Sequence, residues 1–237
     1  MKILIPMAGE GSRFAKEGYT FPKPLIDVKG KPMIQTVVEN LDFDCEYIFL
    51  VRAEHIEKYA GLLDTLDRIT NGNFKHVVVD KLTEGAACTA LLAEEYIDND
   101  EDLLIANSDQ VVEYEPKNFT LLKNLSNVDS MVFTFNAVHP KWSFVRTNSR
   151  GYITEVAEKK PISDIATCGI YWYRRGSDFV KYAKQMIESN IRVNNEFYIA
   201  PVYNELIADG KTLVPFYVHE MWGIGTPEDL ERYLKKR

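Results

Sequence analysis

No apolar run in this 237-residue chain approaches the length of a bilayer-spanning helix, so the sequence predicts no transmembrane segment. Cysteine is scarce. Cys45, Cys88 and Cys168 lie far apart in apolar surroundings, which argues against a disulfide framework and predicts reduced core thiols. The histidines His55, His76, His139 and His219 share no metal-ligand spacing, so no Cys/His zinc site is expected. Excess positive charge is also missing: 28 Lys and Arg stand against 35 Asp and Glu, a formal net charge of −7. A nucleic-acid-binding surface would leave a basic footprint, and none is present. There is no internal repeat, low-complexity tract or linker rich in Gly, Pro or Ser. The first eight residues carry too short an apolar run for a secretory signal, and with the reduced cysteines this predicts a cytoplasmic protein.

What is present is core material, with 46% hydrophobic and 12% aromatic residues. The length fits one large α/β domain over 1–237, with a first half to about residue 110 and a second from about 111. In the first half, strands predicted at Lys2–Pro6, Tyr47–Val51, His76–Val79 and Leu103–Ala106 alternate with helices at Met33–Leu41, Ile56–Leu66 and Ala86–Tyr96. Ile56, Tyr59, Leu63 and Leu66 form one helical stripe. Such alternation predicts a Rossmann-like, mostly parallel sheet with helices on both faces, whose ligands bind beyond the carboxyl ends of the strands. The second half has more strand character, at Met131–Val138, Phe144–Thr147, Tyr152–Ala157 and Thr167–Tyr173. Helices at Ser177–Ile187 and Glu196–Ile207 and a strand near Thr212–Val218 follow. Thr226, Pro227 and Asp229 have the residue types of a helix N-terminus.

Beyond the first strand the chain reads Pro6-Met-Ala-Gly-Glu-Gly-Ser-Arg13, then Pro22-Lys-Pro-Leu25. Ala8, Gly9, Gly11 and Ser12 offer a run of backbone N–H groups able to cradle phosphate oxygens, and Gly9 and Gly11 allow a ligand close to the backbone. Arg13 adds a planar fork of donors and Lys23 a compact charge. This pattern points to a nucleoside triphosphate; its other reading is a glycine turn in an ordinary α/β domain with surface Arg and Lys. A dinucleotide fingerprint is excluded because Phe14 stands where its third glycine would fall. A P-loop is excluded because Glu205 precedes Gly210-Lys211-Thr212 at its required first glycine.

Gly9-Glu-Gly11-Ser12-Arg13, Pro22-Lys23-Pro24-Leu25 and Gly30-Lys31-Pro32-Met33-Ile34 together resemble the signature of the sugar-1-phosphate nucleotidyltransferases, in order and closely spaced. The resemblance implies a nucleotide-diphospho-sugar transferase fold without the C-terminal β-helix domain that many relatives carry. It also implies transfer of a nucleoside monophosphate from an NTP to a sugar 1-phosphate, with Mg²⁺ as cofactor. In the same terms Asp109, in Asn107-Ser108-Asp109 after the fourth strand, becomes the metal ligand; its other reading is a cap on the following turn. Gly85, in Glu84-Gly85-Ala86, becomes the nucleotide-base contact; its other reading is a loop-to-helix glycine with no ligand.

Glu158-Lys159, in Glu155-Val-Ala-Glu158-Lys159-Lys160-Pro161, resembles the family's Glu-Lys-Pro element, with Glu158 for sugar hydroxyls and Lys159 for the sugar phosphate. The additional Lys160 leaves open which lysine turns inward, and a solvated charge run is the other reading. Gly169, in Thr167-Cys168-Gly169-Ile170-Tyr171, and Glu196 complete the implied acceptor site. Trp222-Gly223-Ile224-Gly225-Thr226-Pro227 departs from the family's Trp-x-Asp-x-Gly-Thr-Pro, because the second metal carboxylate falls at Gly223. Another group, such as Glu220, or water would have to supply the ligand, unless the protein is a degenerate relative.

The resemblance implies three residues at the reaction centre, Arg13, Lys23 and Asp109. The partners expected are an NTP and a phosphorylated small-molecule acceptor, with no nucleic acid and no membrane; a homo-oligomer stays open. Three alternatives remain. One is a cytidylyltransferase acting on a non-sugar phosphate such as phosphocholine. Another is a glycosyltransferase, against which stands the absence of a paired Asp-x-Asp at 107–109. The third is a non-catalytic nucleotide-binding relative, supported by Gly223.

Overall fold

The computed structural model describes residues 1–236. Its centre is a nine-stranded mixed sheet. In chain order the strands are β1 (Lys2–Pro6), β2 (Glu46–Arg52), β3 (Phe74–Val79), β4 (Leu103–Ala106), β5 (Ser130–Asn136), β6 (Ser143–Thr147), β7 (Ile153–Glu158), β8 (Ile165–Tyr173) and β9 (Leu213–Tyr217). The spatial order is β7-β6-β8-β4-β1-β2-β3, with β5 on the other edge of β8 and β9 beyond it. β4, β1, β2 and β3 are mutually parallel, as the alternating pattern predicts. β8 joins antiparallel to β4 and so carries the sheet into the second half of the chain.

Strand pleating sorts side chains onto two cores. Ile3 and Ile5 of β1 point to one face and pack with Met33, Ile34 and Val37 of helix Met33–Leu41. Leu4 points to the other, with Ala87 and Ala90 of Ala86–Leu91 and Phe179 of Gly176–Glu188. A strand buried on both faces needs a continuous apolar run, which is what Ile3-Leu4-Ile5 supplies.

Three predicted helices are shorter than their periodicity suggested. The stripe at 56–66 belongs to two helices, Ala53–Lys58 and Gly61–Ile69. Tyr59 leaves helical geometry between them, donates its hydroxyl to Thr20 O at 2.6 Å and sets its ring 5.8 Å from Phe21. Four apolar residues at helical spacing therefore mark a common buried side, not a continuous rod. The stretch 86–96 divides into Ala86–Leu91 and Glu94–Ile97, where Leu92 and Ala93 donate three residues back, to Thr89 and Ala90. The helix predicted at Glu196–Ile207 begins only at Val202. Phe197 N–H donates to Glu84 O and Phe197 O accepts from Ala87 N–H, both at 2.9 Å, so tertiary pairing holds the segment before Pro201 out of helix. A small antiparallel pair, Gln110–Glu113 with Glu220–Gly223, was not foreseen. It brings the C-terminal segment against the end of β4, and this decides the shape of the site.

Candidate active site

Three neighbouring clefts lie beyond the carboxyl ends of β1 and β4. The first, about 240 Å³, is lined by Gly9, Gly11, Ser12, Arg13, Lys23 and Gly225 among others. Gly11 adopts the left-handed conformation, φ 62°, and immediately precedes the helical turn Ser12–Lys16. A Cβ there would lie 3.2 Å from Lys23 Cβ, so glycine lets the Lys23–Leu25 turn settle onto the loop. Ala8 is buried beneath the loop and does not line the cleft. Arg13 is exposed and makes no hydrogen bond or ion pair to any described residue, leaving its whole fork of donors for a ligand.

Lys23 Nζ pairs with Asp109 Oδ2, both side chains about one-fifth exposed. Asp109 is fixed from two sides. Asn107 N–H donates to Gly169 O, and Ile224 N–H donates to Asp109 O, each at 2.9 Å. A Cβ built on Gly225 would overlap the Asp109 carboxylate, lying 2.8 Å from Cγ, so only glycine leaves this carboxylate its position. Asp109 does not cap a turn through its side chain; its carboxylate turns into the middle cleft.

The middle cleft, about 220 Å³, is lined by Arg13, Asp109, Lys141, Lys159, Gly223 and Asp229 among others. Lys141 Nζ lies 3.2 Å and 3.3 Å from the two oxygens of Asp229 and 4.6 Å over the Trp142 ring. Asp229 sits in the first turn of helix Pro227–Lys236, and its N–H donates to Thr226 Oγ1 at 3.1 Å, the cap that the sequence predicts. Glu220 is no substitute for the side chain missing at Gly223. It accepts from Trp222 Nε1 at 3.1 Å, lies 4.0 Å from Lys236, and lines none of the clefts.

The third cleft, about 300 Å³, is walled by Trp142, Ser143, Glu158, Lys159, Tyr171 and Tyr198 over a floor that includes Asn107, Gln110 and Gly169. Glu158 ends β7. Burial pushes its carboxyl above the ordinary range, against the opposing hydrogen bond from Ser143 and the charge of Lys159; Glu196 adds to the rise. Lys159, at φ 55°, donates its N–H to Trp142 O at 3.1 Å, and its ammonium bonds Tyr198 Oη while lying 4.4 Å from the ring centroid. Of the two lysines, Lys159 lines the clefts, whereas Lys160 is exposed and lines none of them. Gly169 has φ 72°, and a Cβ there would fall 2.6 Å from Gln110 Oε1. Gln110 is itself buried, with an Oε1 that has no partner among the described residues.

Two expected residues stand apart. Gly85 lines none of these clefts; Ala86 does. At φ 139°, with a Cβ that would lie 2.5 Å from Phe197 N, Gly85 is explained by backbone packing without a bound base. Glu196 is exposed at the rim, while its neighbours Tyr198, Ile199 and Ala200 line the cavity. Sequence reasoning missed Gln110, Lys141, Trp142, Ser143, Tyr198 and Asp229. The only local signal was the basic-aromatic pair Lys141-Trp142, sitting in a segment with no periodicity.

A family model described as nucleotidyl transferase matches residues 2–236. The bifunctional protein GlmU of Methanococcus maripaludis is 29% identical over 133 residues, covering 55% of this chain and 30% of that protein. The chain thus spans about a third of the length of that relative. AglF of Haloferax volcanii, named UTP–glucose-1-phosphate uridylyltransferase, is 24% identical over 238 residues, covering 97% of this chain and 93% of its own. Among solved structures, the nucleoside-diphosphate-sugar pyrophosphorylase of Vibrio cholerae superposes with a TM-score of 0.82 at 25% identity, covering 98% and 99% of the two chains.

Proposed function

The chain belongs to the nucleotidyl transferase family, and from that premise we propose that it joins a nucleoside monophosphate from an NTP to a sugar 1-phosphate, releasing pyrophosphate. The observation carrying this reading is the middle cleft. It brings Arg13 from the glycine loop, Asp109 from the end of β4 and Lys159 from the end of β7 to one space. Three sequence-distant motifs converge where an acceptor phosphate would meet a triphosphate.

The chemistry asks little of a side-chain base. The second ionisation of a phosphate monoester lies near ~6, so the nucleophilic oxygen is already charged at neutral pH. It attacks the α-phosphorus, a P–O bond forms to the acceptor phosphate, and the bond to the bridging oxygen of pyrophosphate breaks with its electron pair. The protein's contribution is alignment and charge neutralisation. Loop N–H groups, Arg13 and Lys23 hold the triphosphate and then the departing pyrophosphate. Lys159 orients the acceptor phosphate, and Glu158 accepts hydrogen bonds from sugar hydroxyls.

The donor set suits Mg²⁺. No cluster of three or more His, Cys, Asp or Glu ligands occurs among the described residues, and Mg²⁺ favours one or two carboxylates completed by phosphate oxygens and water. Asp109 would hold the ion, which when bound neutralises triphosphate charge.

Two features support a sugar phosphate over phosphocholine. Lys141 and Lys159 cover the faces of Trp142 and Tyr198, the surfaces a trimethylammonium group would seek. The cleft also offers hydroxyl-binding groups in Glu158, Ser143 and Asn107. No described helix is long and apolar enough to cross a membrane. A panel of NTPs against sugar 1-phosphates and phosphocholine, read by pyrophosphate release, tests the proposal. Turnover with a sugar phosphate is expected. Binding of NTP with no turnover across the panel would replace it with the non-catalytic reading.

A further inference from the structure

Gly223 removes a carboxylate from the position where the family keeps its second one, yet a carboxylate faces that position. A Cβ built on Gly223 would lie 3.7 Å from Asp229 Oδ2 and 3.8 Å from its Cγ. A side chain growing from residue 223 would therefore head for the place Asp229 already fills. The route is short. Gly223 pairs with Gln110, Ile224 bonds Asp109, and the chain then turns so that the first turn of helix Pro227–Lys236 returns over the strand it has left. Asp109 and Asp229 end up lining the same cleft. Gln110, whose buried Oε1 has no partner among the described residues, lines it too.

We propose that Asp229 is the second carboxylate of the Mg²⁺ site, replacing the one that Gly223 cannot supply. The charge pattern agrees. Each carboxylate is paired with a lysine, Asp109 with Lys23 of the neighbouring cleft and Asp229 with Lys141 of its own, with Arg232 a more distant 3.8 Å from Asp229. Arrival of a triphosphate with its cation allows an exchange in which both ammonium groups move to phosphate oxygens and both carboxylates to the metal. Lys141 thereby competes with the cation for Asp229 until phosphate is present.

This inference rests on the nucleotidyl-transfer reading above, and the test separates the two. Mn²⁺ serves as a spectroscopic stand-in for Mg²⁺, titrated into the whole protein with and without inorganic tripolyphosphate, with free Mn²⁺ read by electron paramagnetic resonance. Asp229→Asn should weaken Mn²⁺ retention about tenfold or more. Lys141→Met should have the opposite sign, tightening Mn²⁺ binding when tripolyphosphate is omitted. Gly223→Asp added to Asp229→Ala should restore retention, since a Cβ at residue 223 makes only ordinary van der Waals contacts and the place of the Asp229 carboxylate is then vacant. Wild-type retention in Asp229→Asn would overturn the proposal, as would a loss in Lys141→Met equal to that in Asp229→Asn, the mark of a merely structural ion pair. Should Asp229→Asn not fold, the sign of the Lys141→Met effect decides alone. Loss in Asp109→Asn without loss in Asp229→Asn would refute the second carboxylate only. No Mn²⁺ retained by the wild-type protein with tripolyphosphate would refute both readings.

Discussion

Gly225→Ala perturbs the Asp109 carboxylate without touching its chemistry. The new methyl would overlap the carboxylate oxygen and fall 2.8 Å from Cγ and 3.3 Å from Cβ of Asp109. Carbon–carbon contacts settle at roughly 3.5–4.0 Å, so the carboxylate must retreat by about 1 Å. A side chain about one-fifth exposed has room to rotate, so most of the strain falls on rotamer choice and local packing. That costs about 1–3 kcal/mol, equivalent to a fall of roughly 2–12 °C in Tm for a chain of this size. Activity should suffer far more. Displacing a reacting-centre group by about 1 Å typically costs on the order of 10²-fold. The comparison variant is Gly223→Ala, whose Cβ would meet nothing nearer than 3.6 Å. Its turnover should stay within a few-fold of wild type. Steady-state pyrophosphate release and thermal unfolding, run on both variants, make the assay. If Gly225→Ala turns over like Gly223→Ala while both remain folded, Asp109 does not act where we have put it.

Arg13→Ala and Lys23→Ala should each reduce kcat by about 3–4 kcal/mol of barrier stabilisation while circular dichroism stays native; near-normal kcat in either would misplace the triphosphate. Glu158→Gln should raise stability at neutral pH but weaken acceptor binding. Its raised carboxyl pKa means the wild-type penalty is absent below the unfolded value of about 4.5 and fully present above the folded value, so the stability gap between the proteins should open as pH rises through that window. Parallel pH–Tm curves would contradict this. Gly85→Ala should be severely destabilising, by several kcal/mol, because it places a Cβ 2.5 Å from the Phe197 backbone at φ 139°. A wild-type Tm would show that Phe197 is free to move.

The parallel half of the fold was legible because burial on both faces demands long apolar runs, and β1, β2 and β4 have them. Periodicity misled where tertiary contacts set backbone geometry: Tyr59 reaching Thr20 broke one predicted helix, and Phe197 pairing with Glu84 and Ala87 removed the start of another. In the site, Arg13, Lys23, Asp109, Glu158, Lys159 and Gly169 were readable because each belongs to a compact motif, and the fold brings them together. Gly85 was readable as a constrained glycine but not in its reason, since the constraint comes from a backbone more than one hundred residues away. Lys141 and Trp142 show only a basic-aromatic pair and Tyr198 no local pattern; the order β7-β6-β8 brings the first two to the cavity, and the Phe197 bonds to Glu84 and Ala87 bring the third. Asp229 was read as an acid complementing the helix terminus, and it does lie in the first turn, where Thr226 is the cap. Its second role needed the pairing of Glu220–Gly223 with Gln110–Glu113, which no sequence pattern announced.

If Asp109 holds Mg²⁺ against a bound triphosphate, nucleotidyl transfer must depend on both the cation and this carboxylate. The most direct measurement is the Mg²⁺ dependence of pyrophosphate release from an NTP and a sugar 1-phosphate, compared between wild type and Asp109→Asn. Activity should rise with Mg²⁺ in the wild-type protein and be abolished in Asp109→Asn at ordinary Mg²⁺ levels. Full activity in Asp109→Asn, or wild-type turnover indifferent to Mg²⁺, would contradict that dependence.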